Sequence, residues 1–393
     1  MSPVQAFGPD EYARRLAATR DRMAAAGLDA LLVSDPANLY YLTGYQAWSF
    51  YTPQLLFVPA EGELLLVTRE MDARGATRTT WLPIEQILGY PEELVHVPDR
   101  HPFDWLASEL RRRGLVAPAR VGIEADAHFF SPKAFLALEK GFGEWELTDS
   151  QELVNWVRAI KSDAEIATMR TAARVTTRAM QAAIDTIGVG VPQHVVAAEI
   201  MRAQVLGDAD AWGDFPAIVP LLPTGAAADT PHLTWSDQRF VAGDAVVVEL
   251  AGAHRRYHVP LARTVMLGEP SAELRRTETA VAEGLSAVLE TIRAGVRMVE
   301  VADAWNTVLA RYGIEKRSRL GYSIGVGYPP DWGERTMSIR ASDPTVLAEN
   351  MTFHVICGMW MTGYGYEVSE SIRVTADGVE TFTDFPRALI SKG

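Results

Sequence analysis

The sequence predicts two consecutive domains, a smaller α/β unit and then a larger α+β unit. Three observations predict this. The chain has 393 residues, more than one hydrophobic core usually spans. Its first 156 residues alternate strand-like and helix-like runs, the pattern of an α/β unit. From residue 157 onward, long helical patterns surround strand-patterned segments instead. With 48% apolar and 22% charged residues, the composition supports a sizeable core.

Asp10 to Gly27 reads as an amphipathic helix closed by glycine, with Leu16 and Met23 facing inward. Leu28 to Val33 reads as a buried strand that ends at Asp35-Pro36. Leu55–Pro59 and Leu64–Thr68 read as a hairpin split by Glu61-Gly62, followed by a helix near Phe103–Gly114 and a strand at Val121–Glu124. In the second domain the spacing predicts a long helix over 163–187 with Ser162 as N-cap, and another over 192–206. Strands follow at 245–250 and 263–267, helices at 272–293 and 298–312, and strands at 351–361 and 366–375. The domains are therefore expected at 1–156 and 157–393.

The net charge of -13 argues against a nucleic-acid partner. No apolar run approaches the ~20 residues needed to cross a bilayer, and no apolar signal core is expected at the N-terminus, so a cytoplasmic location is expected. A single cysteine, Cys357, excludes an internal disulfide and a cysteine-built metal site, and its apolar setting reads as packing.

The residues that point to chemistry lie in the second domain. Glu249 interrupts the apolar run Val246-Val247-Val248, where a charge needs either a catalytic use or an ion pair, Arg263 being the candidate partner. His232 follows Pro231 in a loop, and His354 sits on the apolar strand Phe353–Ile356. Side chains two apart share a strand face, so His354 joins Ile356, Glu367 joins Ser369 and His258 joins Pro260. Glu367 and Glu370 fall on opposite faces unless a bulge intervenes, so one of the two is expected in the site. Tyr322 lies in Gly321-Tyr322-Ser323-Ile324-Gly325. Imidazoles and carboxylates of this kind suit acid/base or nucleophilic work. In the first domain, Trp48, Phe50 and Tyr51 form an aromatic-dense strand end and loop that suits core packing or a small-ligand lid.

The order and spacing of Asp214–Val219, Pro231-His232-Leu233, Val246–Leu250, Tyr257–Thr264, Gly321–Gly325 and Glu349–Ile356 resemble the creatinase/aminopeptidase family. The resemblance implies a pita-bread α+β C-terminal domain preceded by a creatinase-type α/β domain. It also implies a homodimer, in which the first domain of one subunit reaches the site of the other. Metallopeptidase members hold two divalent ions with two Asp, one His and two Glu. The matching positions here are Glu249, Pro260, Tyr322, Ile356 and Ser369. Proline and isoleucine have no side-chain donor, so the expected enzyme uses no metal and no cofactor.

The motifs Gly44–Tyr51, Asp214–Gly225 and Tyr328–Glu334 further resemble a branch of the family that hydrolyses small zwitterionic cyclic amidines. That likeness implies Glu249, His232 and His354 as catalytic, with Glu249 attacking directly or activating water and a histidine moving the proton. It implies Glu367, Tyr322, His258, Glu370, Trp48, Phe50 and Tyr51 as substrate-binding. Gly363-Tyr364-Gly365-Tyr366 and Cys357 depart from that branch, close to the pocket. Three alternatives stay open: another amidine or guanidine hydrolase or lyase, a Xaa-Pro peptidase, and a non-catalytic binding member. Creatine is disfavoured by Ala262, where a glutamate is expected, and the peptidase by the replaced ligands.

Overall fold

Capping side chains set several helix starts in this chain. The computed structural model describes residues 5–117 and 119–393. It divides into two units, Met1–Val157 and Arg158–Gly393.

The first unit contains α1 (Pro9–Ala25), β1 (Ala30–Val33), α2 (Pro36–Thr43), β2 (Leu55–Pro59), β3 (Leu65–Arg69) and α3 (Glu70–Thr79). β4 (Ile87–Tyr90), α4 (Pro102–Arg112), β5 (Ala119–Ile123), α5 (Pro132–Gly141), β6 (Trp145–Asp149) and α6 (Leu153–Arg158) follow. Six strands form one mixed sheet in the order β4-β3-β2-β1-β5-β6. Leu32, Phe57 and Val67 of the sheet pack with Phe103, Leu106 and Leu138 of the helices. The expected strand end at Asp35-Pro36 is instead the start of α2. Asp35 accepts the Ala37 N–H, Pro36 takes the first turn, and Gly44 closes the helix at φ 77°. All eight residues of α2 are buried, which removes the polar face that would have marked a helix.

In the second unit, α7 (Asp163–Thr186) starts as predicted. Ser162 Oγ accepts the Glu165 N–H at 3.2 Å, and Glu165 Oε2 accepts the Ser162 N–H at 2.9 Å. α8 (Gln193–Leu206) follows, then β7 (Ala245–His254), β8 (Tyr257–Leu267), α9 (Ala272–Thr291) and α10 (Met298–Arg311). The remaining strands are β9 (Gly321–Tyr328), β10 (Asp331–Ser338), β11 (Thr352–Met361), β12 (Tyr364–Val374), β13 (Val379–Thr381) and β14 (Ile390–Lys392). They build an eight-stranded sheet along the path β13-β12-β11-β9-β8-β14, with β10 on β9 and β7 on β8. Val246, Val248 and Leu250 of β7 face α7 and α8 in the core.

β8 and the β9–β10 hairpin differ from expectation in ways that bear on the site. β8 begins at Tyr257 and runs through Pro260, which pairs with Ala251. A proline reads as a strand breaker, so only 263–267 is expected from sequence. The β9–β10 hairpin is not expected either. Its motif glycines mark close approaches: a Cβ on Gly321 would lie 2.5 Å from the His354 carbonyl oxygen, and one on Gly325 2.5 Å from Glu334 Oε1. Glu334 is itself buried in an ion pair with Lys161 at 2.7 Å.

Candidate active site

Alternation along β7 turns Val248 and Leu250 into the core and Glu249 to the opposite side. On β11 and β12 the register sets Ile356 opposite Ser369 and Gly358 opposite Glu367. His354 lies opposite Tyr322 of β9. The segment after α8 is held to the sheet by two backbone bonds between Leu221 and Glu249, at 2.9 and 3.1 Å. These elements enclose a cavity of about 600 Å³, lined among others by Leu221, His232, Glu249, Arg319, Tyr322, Asp331, Ile356, Trp360 and Glu367. That volume suits a small ligand.

Glu367 is 1% exposed, and neither carboxylate oxygen has a hydrogen-bond partner among the described residues. Burial raises its pKa to about 7, against the pull of Lys316. Glu249 is raised well above the carboxylate range, first by burial and then by the charge of Glu367. Two buried like charges in one site oppose each other's ionisation. Lys316, from the loop between α10 and β9, is lowered to about 8 by burial, with Cys357 and Glu367 opposing that shift. Its ammonium donates to the Gly358 carbonyl at 2.6 Å and sits 4.2 Å from the Trp360 ring centre.

A hydrogen-bonded row backs this wall. Trp332 Nε1 donates to the Tyr322 hydroxyl at 2.7 Å, which lies 3.3 Å from His354 Nδ1. His354 Nε2 lies 2.7 Å from Ser369 Oγ, and Ser369 Oγ accepts the Ala262 N–H at 2.7 Å. His354 Nδ1 is 4.0 Å from Glu249 Oε1. Burial lowers the His354 pKa to about 3, so this imidazole is neutral.

The predicted residues separate into groups. Glu249, His232, Tyr322 and Glu367 line one cavity, with His232 exposed on its loop. His354 stands behind the wall and touches it through Tyr322 and Ser369. His258 is a correction: its Nε2 accepts the Ala217 N–H at 2.9 Å, and Nδ1 lies 2.9 Å from the Arg256 carbonyl. Nε2 holds the 214–217 segment and Nδ1 meets the Arg256 carbonyl, so both ring nitrogens already have partners. Glu370 is a second correction, since Arg263 Nη2 (2.8 Å) and Arg387 Nε (2.9 Å) both engage its Oε1 on the opposite strand face. Arg263 therefore pairs with Glu370 and not with Glu249. Trp48 and Tyr51 are each 57% exposed, while Phe50 is buried between Trp48 and Phe129, 5.1 and 5.0 Å between ring centres.

Arg319, Asp331 and Trp360 are not expected in the cavity lining from sequence, nor is Lys316 expected near Glu367. Lys316 and Arg319 sit in Glu315-Lys316-Arg317-Ser318-Arg319, a run that reads as a solvated loop. Asp331 stands in a motif whose spacing gives no hint of its direction. The donors present do not fit a pair of divalent ions. Pro260 and Ile356 offer none, and both His354 nitrogens are engaged. Among the described residues, no three His, Cys, Asp or Glu side chains are grouped to hold a metal.

The model of metallopeptidase family M24 matches residues 167–376, and that of the creatinase/prolidase N-terminal domain matches residues 15–160. An ectoine hydrolase of Halomonas elongata is 43% identical over 98% of this chain and 98% of its own. An uncharacterised hydrolase/peptidase of Sinorhizobium fredii is 40% identical, again over 98% of both chains. Among solved structures, a prolidase from Thermococcus sibiricus superposes with a TM-score of 0.84 at 19% identity, over 98% of this chain and 100% of that one. The last likeness shows the two-domain pita-bread fold alone.

Proposed function

This chain belongs to metallopeptidase family M24, and from that premise we propose that it is a hydrolase opening the cyclic amidine ring of ectoine without a metal ion. One observation carries the reading: Glu367 is a buried carboxylate with both oxygens unpartnered among the described residues, lining the same cavity as the buried Glu249. Such a pair is costly unless a cation sits between the two groups. Ectoine offers an amidinium of suitable size, and the 43% identical relative supports that choice.

In this reading the amidinium lies between Glu249 and Glu367, and its charge brings both carboxyls back to the ionised form. Glu249 supplies the oxygen nucleophile to the methyl-bearing carbon, as its own carboxylate or by activating water. The resulting tetrahedral centre collapses as one ring C–N bond breaks. His232 delivers a proton to the departing nitrogen, a task for which imidazole is suited near neutral pH. With one water consumed, the product is an acetylated diaminobutyrate. The amidinium carbon is electrophilic already, so a Lewis acid is not needed to activate it. His354 acts as a positioning residue that holds Tyr322 and Ser369. In the homodimer implied by the family resemblance, Trp48, Phe50 and Tyr51 supply an aromatic surface for the ring.

Steady-state turnover of ectoine by Glu249→Gln and Glu367→Gln tests this assignment. Loss of the base or nucleophile at Glu249 should lower kcat by about 100-fold or more. A Glu249→Gln enzyme with a near-normal rate would contradict it.

A further inference from the structure

We propose that Arg319 is the residue that selects a carboxylate on the substrate, restricting the site to zwitterionic amidines. This rests on the cyclic-amidine reading above. Among the described residues lining the cavity, Arg319 is the only lysine or arginine, against three acids, Glu249, Asp331 and Glu367. Its guanidinium lies 4.3 Å from the centre of the Tyr322 ring, and Nη1 donates to Ser338 Oγ at 3.3 Å. Among the described residues no carboxylate lies within ion-pair distance of it.

The other cations nearby are committed. Arg263 is tied to Glu370, and Arg256 to Asp214 at 3.3 Å. Lys316 donates to the Gly358 carbonyl, and its charge acts on Glu367. Arg319 thus keeps an uncompensated charge and free N–H donors at a cavity whose remaining charge is negative. Contact with the Tyr322 ring and the bond to Ser338 hold the guanidinium at the cavity, and its other N–H donors suit a carboxylate, which a guanidinium fork can engage through two parallel bonds. The carboxylates would take the amidinium and Arg319 the carboxylate of the same molecule. A cation without a carboxylate satisfies only half of this arrangement.

The test compares kcat/KM for ectoine and for 2-methyl-1,4,5,6-tetrahydropyrimidine, the same ring without the carboxylate, in wild type, Arg319→Gln and Arg319→Lys. Wild type should prefer ectoine by about 100-fold or more. Arg319→Gln should lose most of that preference through a higher KM for ectoine, with the carboxylate-free ring handled within about threefold of wild type. Arg319→Lys should recover part of it, since lysine keeps the charge but not the fork. Arg319 is exposed, and a thermal melt of each variant checks that it is folded. An equal loss on both rings, or no loss on ectoine, overturns the role of Arg319 alone. A wild-type enzyme that opens neither ring overturns the cyclic-amidine reading, and this inference with it.

Discussion

Glu249 and Glu367 line one cavity in which burial holds both toward the protonated form. A bound cation reverses that preference, so ectoine binding should release protons near pH 7. Calorimetry in buffers of different ionisation enthalpy measures the release, and buffer-independent heats would contradict the pairing. The same shift affects stability. The folded pKa of Glu367, about 7, lies above the ordinary 4.5. Its contribution is therefore fully present below about pH 4.5 and is lost as pH rises through about 7. Glu367→Gln should accordingly melt higher than wild type at pH 8, by on the order of 1 kcal/mol, with the gap closing toward pH 4.5. The two histidines should separate: His232→Ala should lose roughly 100-fold or more in kcat with an unchanged melt. His258→Ala should lose about 1–3 kcal/mol of stability, because it strands the buried Ala217 N–H. A charge in an apolar strand marks Glu249 as a site candidate, and a strand face shared with Ser369 marks Glu367. Residue type could not distinguish His258 from His232, because what differs is whether backbone groups already occupy the ring nitrogens.

The strands that carry the site are held by polar groups on their far face. Arg263 of β8 donates to the Ser369, Phe385 and Pro386 carbonyls as well as to Glu370, tying β12 and the C-terminal segment to one guanidinium. Arg263→Met should cost about 3–5 kcal/mol in urea unfolding, by leaving Glu370 buried with only Arg387 beside it. A loss below 1 kcal/mol would show that the network is not what holds these strands. The long capped helices and the apolar strands were legible because Ser162 and the period-2 pattern of β7 act locally. α2, the first half of β8 and the β9–β10 hairpin were not. Burial on all sides hid the helical face of α2, Pro260 masked β8, and the hairpin depends on glycines whose need is set by strands distant in sequence. Opposite faces for Glu367 and Glu370 followed from alternation, and the unbulged register of β12 shows which of them meets the cavity.

For the molecule as a whole, length and texture were enough to read two domains, and the M24 match extends across most of the second. The acidity of the chain, net -13, agrees with a site that receives a cation, yet the cavity also carries Arg319, which bulk charge cannot reveal. Among the described residues no helix is long and apolar enough to cross a membrane. The replaced donor positions and the unpartnered Glu367 together make metal-free ring opening the central claim. Its most direct test is to incubate exhaustively chelated protein with ectoine and follow the ring and methyl signals by proton NMR. Conversion to an acetylated diaminobutyrate at a rate that added zinc, manganese or cobalt does not raise is the predicted result. Ring opening that appears only when a divalent ion is restored, or no opening under either condition, would contradict it.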